Sequence, residues 1–208
     1  LGLMLVQRGD HARGGGWFAR ARHILDENSL DCVEHGYLRI PAALQGLEHG
    51  DHEASRNAFV EITACADRFG DRDLRALGTL GQGQSLIAAG NAADGMAMLD
   101  ETMVAVTTGE VSPLVAGIAY CATIIACQQV FDVRRAQEWT AELSRWCATH
   151  QDLKPYRGQC LVHRSEIMQL HGEWADAMEE IQRAREHLSK PAGDPVLGMA
   201  MYQQAELL

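Results

Sequence analysis

The chain has 208 residues, 47% of them apolar and 22% charged, and its 28 acidic side chains outweigh 18 basic ones to leave a net charge of −10. That apolar share excludes a disordered segment, and no apolar run approaches the roughly 20 residues that cross a bilayer. A surface this acidic repels phosphate backbones and makes this segment a poor nucleic-acid binder.

Apolar residues recurring at three-and-four spacing predict about eleven helices, over residues 1–9, 17–28, 31–49, 51–69, 72–89, 92–107, 113–130, 132–150, 155–171, 173–188 and 195–208. No segment alternates apolar and polar residues as a half-buried strand does. Asp31 with Glu34 reads as a capping box ahead of the third helix, and Asp51 and Asp71 read as N-caps. Ser112-Pro113 offers an N-cap followed by proline at the first helical position, and Pro155 and Pro195 open helices in the same way. Pro41 falls inside a periodic stretch, so it either kinks that helix or marks its true start. The stretch from Gly117 to Cys127 is apolar or small all the way round and is expected to be the most buried of the helices that open each pair, in the middle of the stack.

A repeat underlies these helices. With Gly16, Gly50, Gly90, Phe131 and Gly172 as anchors, the spacings are 34, 40, 41 and 41 residues. Five residues past each anchor stand Ala21, Ser55, Gly95, Ala136 and Ala177, all small. Nine past each anchor stand Leu25, Phe59, Leu99, Thr140 and Ile181. A small residue lets the second helix of a pair approach the first, and a larger one a turn later fills the groove between them. The anchor sits just past the first helix, where a left-handed residue closes it.

Gly172, Trp174 and Ala177 resemble the tetratricopeptide repeat, although a period of about 40–41 exceeds that family's usual ~34. The fold expected is all-α, a right-handed α-solenoid of antiparallel helix pairs, with residues 1–208 forming a single repeat domain. Three longer stretches carry a further resemblance: Gly109-Glu110-Val111-Ser112-Pro113, the run from Phe131 to Thr140, and the run from Pro155 to Arg164. They are similar to the helical-repeat region of actinobacterial LuxR-type transcriptional regulators, over most of the chain from about Gly9. That resemblance implies a non-catalytic regulatory or ligand-sensing scaffold whose helix-turn-helix lies outside this segment. The alternatives are a stand-alone tetratricopeptide adaptor binding a peptide and, more distantly, an enzyme with a site in the solenoid groove. No Gly-rich phosphate loop is present, since Gly14-Gly15-Gly16-Trp17 has no following lysine.

Other chemistry is sparse. The six cysteines form no CxxC pair and read as small buried side chains in a reducing cytoplasm, with no cofactor or metal implied. Glu48, His49, Asp51 and His52 cluster at a helix corner, where polar residues belong without a metal. Cys160 and His163 are spaced as a nucleophile and base would be, but nothing in the sequence supplies an orienting group. The carboxylate pairs Asp71/Asp73, Asp100/Glu101 and Glu179/Glu180 fit solvated faces and helix starts. Trp17, Trp139, Trp146 and Trp174 are expected to pack between repeats. The start at Leu1, without a basic leader or an initiator Met, and the end at Leu208 inside an apolar pattern suggest a piece of a longer cytoplasmic array.

The first helices of a solenoid line its concave face, where partners bind. Leu77, Leu80 and Gln84 share one face of their helix, as do Cys121, Ile125 and Gln128, and then Gln159, His163, Glu166 and Gln169. The candidate ligand-binding residues are Gln84, Gln128, Arg157, Gln159, His163, Arg164, Glu166 and Gln169. This mixture suits a peptide or a small polar ligand, and a homo-oligomer is a further possibility for such a scaffold.

Overall fold

The computed structural model describes residues 2–7, 10–150, 154–189 and 195–208, and no strand occurs among them. The expected all-α architecture is therefore found, in twelve helices rather than eleven. They are α1 (Gly2–Gln7), α2 (His11–Glu27), α3 (Glu34–Tyr37), α4 (Ile40–Glu48), α5 (His52–Phe69), α6 (Arg72–Ala88), α7 (Ala92–Thr107), α8 (Pro113–Gln129), α9 (Val133–Thr149), α10 (Lys154–Leu170), α11 (Trp174–Leu188) and α12 (Pro195–Glu206). Residues 1, 8 and 9 of the first expected helix lie outside the described residues.

Where the bounds differ, the cause is local. Asp10 starts α2 six residues early by accepting from the Arg13 backbone N–H at 3.2 Å. Gly14, Gly15 and Gly16 thus lie inside a helix. At Gly14 a Cβ would meet Val6 Cγ2 at 2.5 Å and the Gly2 carbonyl at 2.9 Å, so α1 can approach α2 there. The expected helix 31–49 divides into α3 and α4, with Pro41 in the first turn of α4. Proline has no N–H to give to an intrahelical bond, so it starts the helix instead of kinking it. The Asp31–Glu34 capping box does not form. Val33 occupies the N-cap position without a side-chain bond, Asp31 pairs with Arg68, and the Glu34 carboxylate accepts from the Cys32 thiol. Asp51 and Asp71 do cap, accepting from Ala54 N at 3.3 Å and Leu74 N at 2.8 Å. Ser112 Oγ accepts from Val115 N at 3.4 Å.

The chain divides into two compact units, Leu1–Ala119 and Tyr120–Leu208, with the division inside α8. In the first unit α4 packs on α5, α5 on α6 and α6 on α7, while α3 rests on α5 and α1 on α2. Its core gathers Ile40, Ala43, Phe59, Ile62, Ala66 and Leu74. In the second unit α9 packs on α10, α10 on α11, and α12 on both α10 and α11. Val162, Ile181, Ala184, Leu188 and Ala200 form its core. Tyr120 sits beside Trp139 and Trp146, with ring centroids 6.3 and 5.8 Å away. Trp17 and Trp174 depart from the packing expected of them, with 45% and 54% of their surface exposed. Residues 115–127 are buried or partly buried throughout.

The repeat register has a backbone signature. Gly50, Gly90 and Gly172 adopt φ of +84°, +89° and +80°, and Phe131, the one anchor that is not glycine, adopts +59°. Gly16 lies mid-helix, so the first anchor was misplaced. Ser55, Gly95, Ala136 and Ala177 are all buried, and so are Phe59, Leu99, Thr140 and Ile181 nine residues past the anchors. At Gly95 a Cβ would lie 2.6 Å from the Gly83 carbonyl, so the α6–α7 contact is backbone against backbone.

Candidate functional site

The polar row on α10 follows from its sequence spacing, because Gln159, His163, Glu166 and Gln169 recur at steps of four, three and three. The structure gives most of these side chains partners within the second unit. Gln128 Nε2, on α8, donates to Glu166 Oε2 at 2.9 Å. His163 Nδ1 lies 3.1 Å from the same oxygen. A carboxylate can only accept, so Nδ1 carries the proton in this pair. His163 is fully buried, and its Nε2 meets no partner among the described residues. Burial pushes the Glu166 carboxyl up, but the hydrogen bond and charge of His163, with the Gln128 amide, outweigh it and hold the carboxyl below its usual 4.5.

The flanking residues are engaged in the same way. Arg164 reaches across to Glu180 on α11 at 2.9 Å, and Arg183 approaches the same carboxylate oxygen at 3.2 Å. Glu180 is buried, so these two guanidinium groups offset the cost of desolvating its charge. Gln169 Oε1 accepts from Gln203 Nε2 on α12 at 2.8 Å. Gln159 is partly buried. The row thus bridges α8, α10, α11 and α12, and His163 in particular does not present its ring to solvent. The side chain of Arg157 lies outside the described residues, and Gln84 is a partly buried residue of α6 in the first unit.

Cys160 and His163 do not act on each other as nucleophile and base. The Nδ1 of His163 is committed to Glu166, while Cys160 Sγ lies 3.2 Å from Ser144 Oγ on α9. No disulfide joins any of the six cysteines, and Cys32 and Cys65 are only partly buried. Glu48, His49, Asp51 and His52 do not converge, and among the described residues no three His, Cys, Asp or Glu side chains could hold a metal.

Sequence reasoning missed a cleft of about 470 Å³ in the first unit, between α6, α7 and the loop after α7. Arg72, Arg75 and Thr79 line it from α6, Glu101 and Thr102 from α7, and Glu110 from the loop. Arg72 and Glu110 face each other at 4.0 Å, and Arg75 also reaches Asp67 at 3.6 Å. The signal was present as Arg72, Arg75 and Thr79 at steps of three and four. It could not be read without knowing that Glu101 and Glu110 stand opposite.

No helix among the described residues is long and apolar enough to cross a membrane. Compared with protein-family models, curated proteins and solved structures, the chain matches none.

Proposed function

We propose that the chain is a non-catalytic scaffold of helical repeats, a right-handed α-solenoid stretch from a LuxR-type transcriptional regulator whose DNA-binding module lies outside these residues. One observation carries this reading. At Gly50, Gly90, Phe131 and Gly172 a left-handed residue is followed five residues later by a small buried one and nine later by a second buried side chain. Units built on so regular a rule bury surface mainly against their neighbours, which is how repeat scaffolds gain stability and long partner-binding faces. The mixed-charge cleft on α6 and α7 suits a peptide or a small polar ligand better than the α10 row, whose side chains already serve one another.

The test is the gene itself, read past Leu208. An in-frame helix-turn-helix of about 60 residues supports the regulator. An open reading frame that closes in further repeats without one replaces it with the stand-alone adaptor.

A further inference from the structure

Two contacts fix the loop wall of the cleft on α6 and α7. Asp73, in the first turn of α6, accepts from the Ser112 backbone N–H at 2.7 Å, which ties the loop after α7 to α6. In that loop Thr108 Oγ1 lies 3.0 Å from Glu110 Oε1 and holds this carboxylate in place. Within the cleft the charges are loosely matched. Arg72 stands 4.0 Å from Glu110 and Arg75 3.6 Å from Asp67, both too far for a hydrogen bond. Arg164 and Arg183, by contrast, reach Glu180 at 2.9 and 3.2 Å. Glu101, exposed on the α7 wall, has no ion-pair partner among the described residues.

We propose that this cleft binds a zwitterionic aliphatic dipeptide, its carboxylate held by Arg72 and Arg75 and its ammonium by Glu101, a proposal that rests on reading the chain as a ligand-binding scaffold. Arg72 and Arg75 are three residues apart on α6, so both guanidinium groups reach one carboxylate. Their planar forks match a carboxylate with two parallel hydrogen bonds. Two arginines against Glu101 and Glu110 leave the cleft without net charge, which favours a ligand without net charge. The acidic excess of the whole chain works against a polyanion. Val104 lines the cleft with 60% of its surface exposed, and Val111 stands with it, so an aliphatic side chain finds apolar surface to cover.

Size selects the dipeptide. A volume of about 470 Å³ is at the small end of ligand pockets, which run from roughly 300 to 1,000 Å³. An extended chain spans at most about 3.3–3.6 Å per residue, so the charged ends of a dipeptide stand roughly 7 Å apart. That length suits charged side chains reaching inward from helices packed about 8–10 Å apart. A single amino acid carries both charges on one carbon and reaches only one wall.

The test is a calorimetric titration of the 208-residue chain with alanyl-leucine. Saturable binding with a Kd of about 0.1–1 mM is expected. N-acetyl-alanyl-leucine, alanyl-leucinamide and free leucine are each expected to bind about fivefold to tenfold more weakly, because each loses one charged contact. Arg75→Gln and Glu101→Gln alter exposed side chains and are expected to weaken alanyl-leucine to the same extent. No saturation up to about 10 mM overturns the proposal. So does equal binding by any of the three other probes, or by either substituted chain. The reading frame past Leu208 decides the regulator independently. An encoded helix-turn-helix with no dipeptide binding therefore removes this ligand and leaves the scaffold.

Discussion

Ser165 Oγ, on α10, donates to the carbonyl oxygen of Ala177, on α11, at 2.9 Å. A serine side chain is short, so this bond sets how near the two helices stand. Ala177 is fully buried at that crossing, and it is the small residue five past the Gly172 anchor. The same device recurs in the first unit, where Ser55, five past Gly50, donates to the Ala43 carbonyl at 2.8 Å. Ala177→Leu must therefore push α10 and α11 apart or strain its own rotamer. Overpacking of this kind costs about 1–3 kcal/mol. In a chain of this length that is roughly 2–12 °C in melting temperature. An unchanged melting curve would show that the crossing has slack.

Phe131→Gly is expected to act in the other direction. Phe131 adopts φ +59° and leaves 88% of its surface exposed. A residue with a Cβ pays about 1–2 kcal/mol for the left-handed conformation, and glycine does not. Little buried surface is lost in exchange, though glycine raises the entropy of the unfolded chain by about 0.4–1 kcal/mol. The net gain expected is about 0.5–1 kcal/mol, read as a higher denaturation midpoint with an unchanged slope. A lower midpoint would mean that the phenyl ring stabilises the turn by more than its exposure suggests.

The same position shows how far the sequence could be read. Aligning Phe131 with four glycines rested on spacing alone, yet it marked the one anchor at which a bulky residue takes up a left-handed turn. Periodicity and caps placed α5 to α9 within a residue or two at most ends, because their boundary signals are local. The N-terminal third was harder. Gly14, Gly15 and Gly16 look like a loop, and only the Asp10 cap and the contact of Gly14 with Val6 explain why they are helical. At the candidate site, spacing set Gln128 beside the α10 row but gave no sign of its other partners. Glu180 and Gln203 sit on other helices, and the burial of His163 is set by packing that one helix does not encode.

Duplex DNA is expected not to bind the chain. Its 28 acidic residues exceed its 18 basic ones, and Arg39, Arg68, Arg75, Arg145, Arg164 and Arg183 all pair with carboxylates of the chain itself. The acidic excess repels phosphate, and these pairings weaken the cationic contacts that would displace its counterions. A mobility-shift titration with a random-sequence duplex at low salt, up to micromolar protein, is expected to show no complex. A complex that weakens steeply with added salt would overturn this and place a cationic surface where the sequence shows none.

Glu166 ties the stability of the second unit to acid pH. Its folded carboxyl is held below the unfolded value of 4.5 by His163 and Gln128, so the carboxylate stabilises the folded chain fully above that value. The contribution is lost as pH falls below 4.5 through the lower folded value. Glu166→Gln keeps the shape but removes the charge, leaving the buried His163 ring with a weaker partner. At pH 7 the cost expected is about 1–3 kcal/mol, the range for breaking a buried hydrogen bond to a charged group. The informative measurement is the gap between the two proteins' unfolding free energies across pH 7 to 3. It is expected to be constant down to about 4.5 and to close below it, because protonation there does to the native chain what the substitution has already done. A gap that stays constant to pH 3 would mean that the His163–Glu166 contact stabilises by packing rather than by charge.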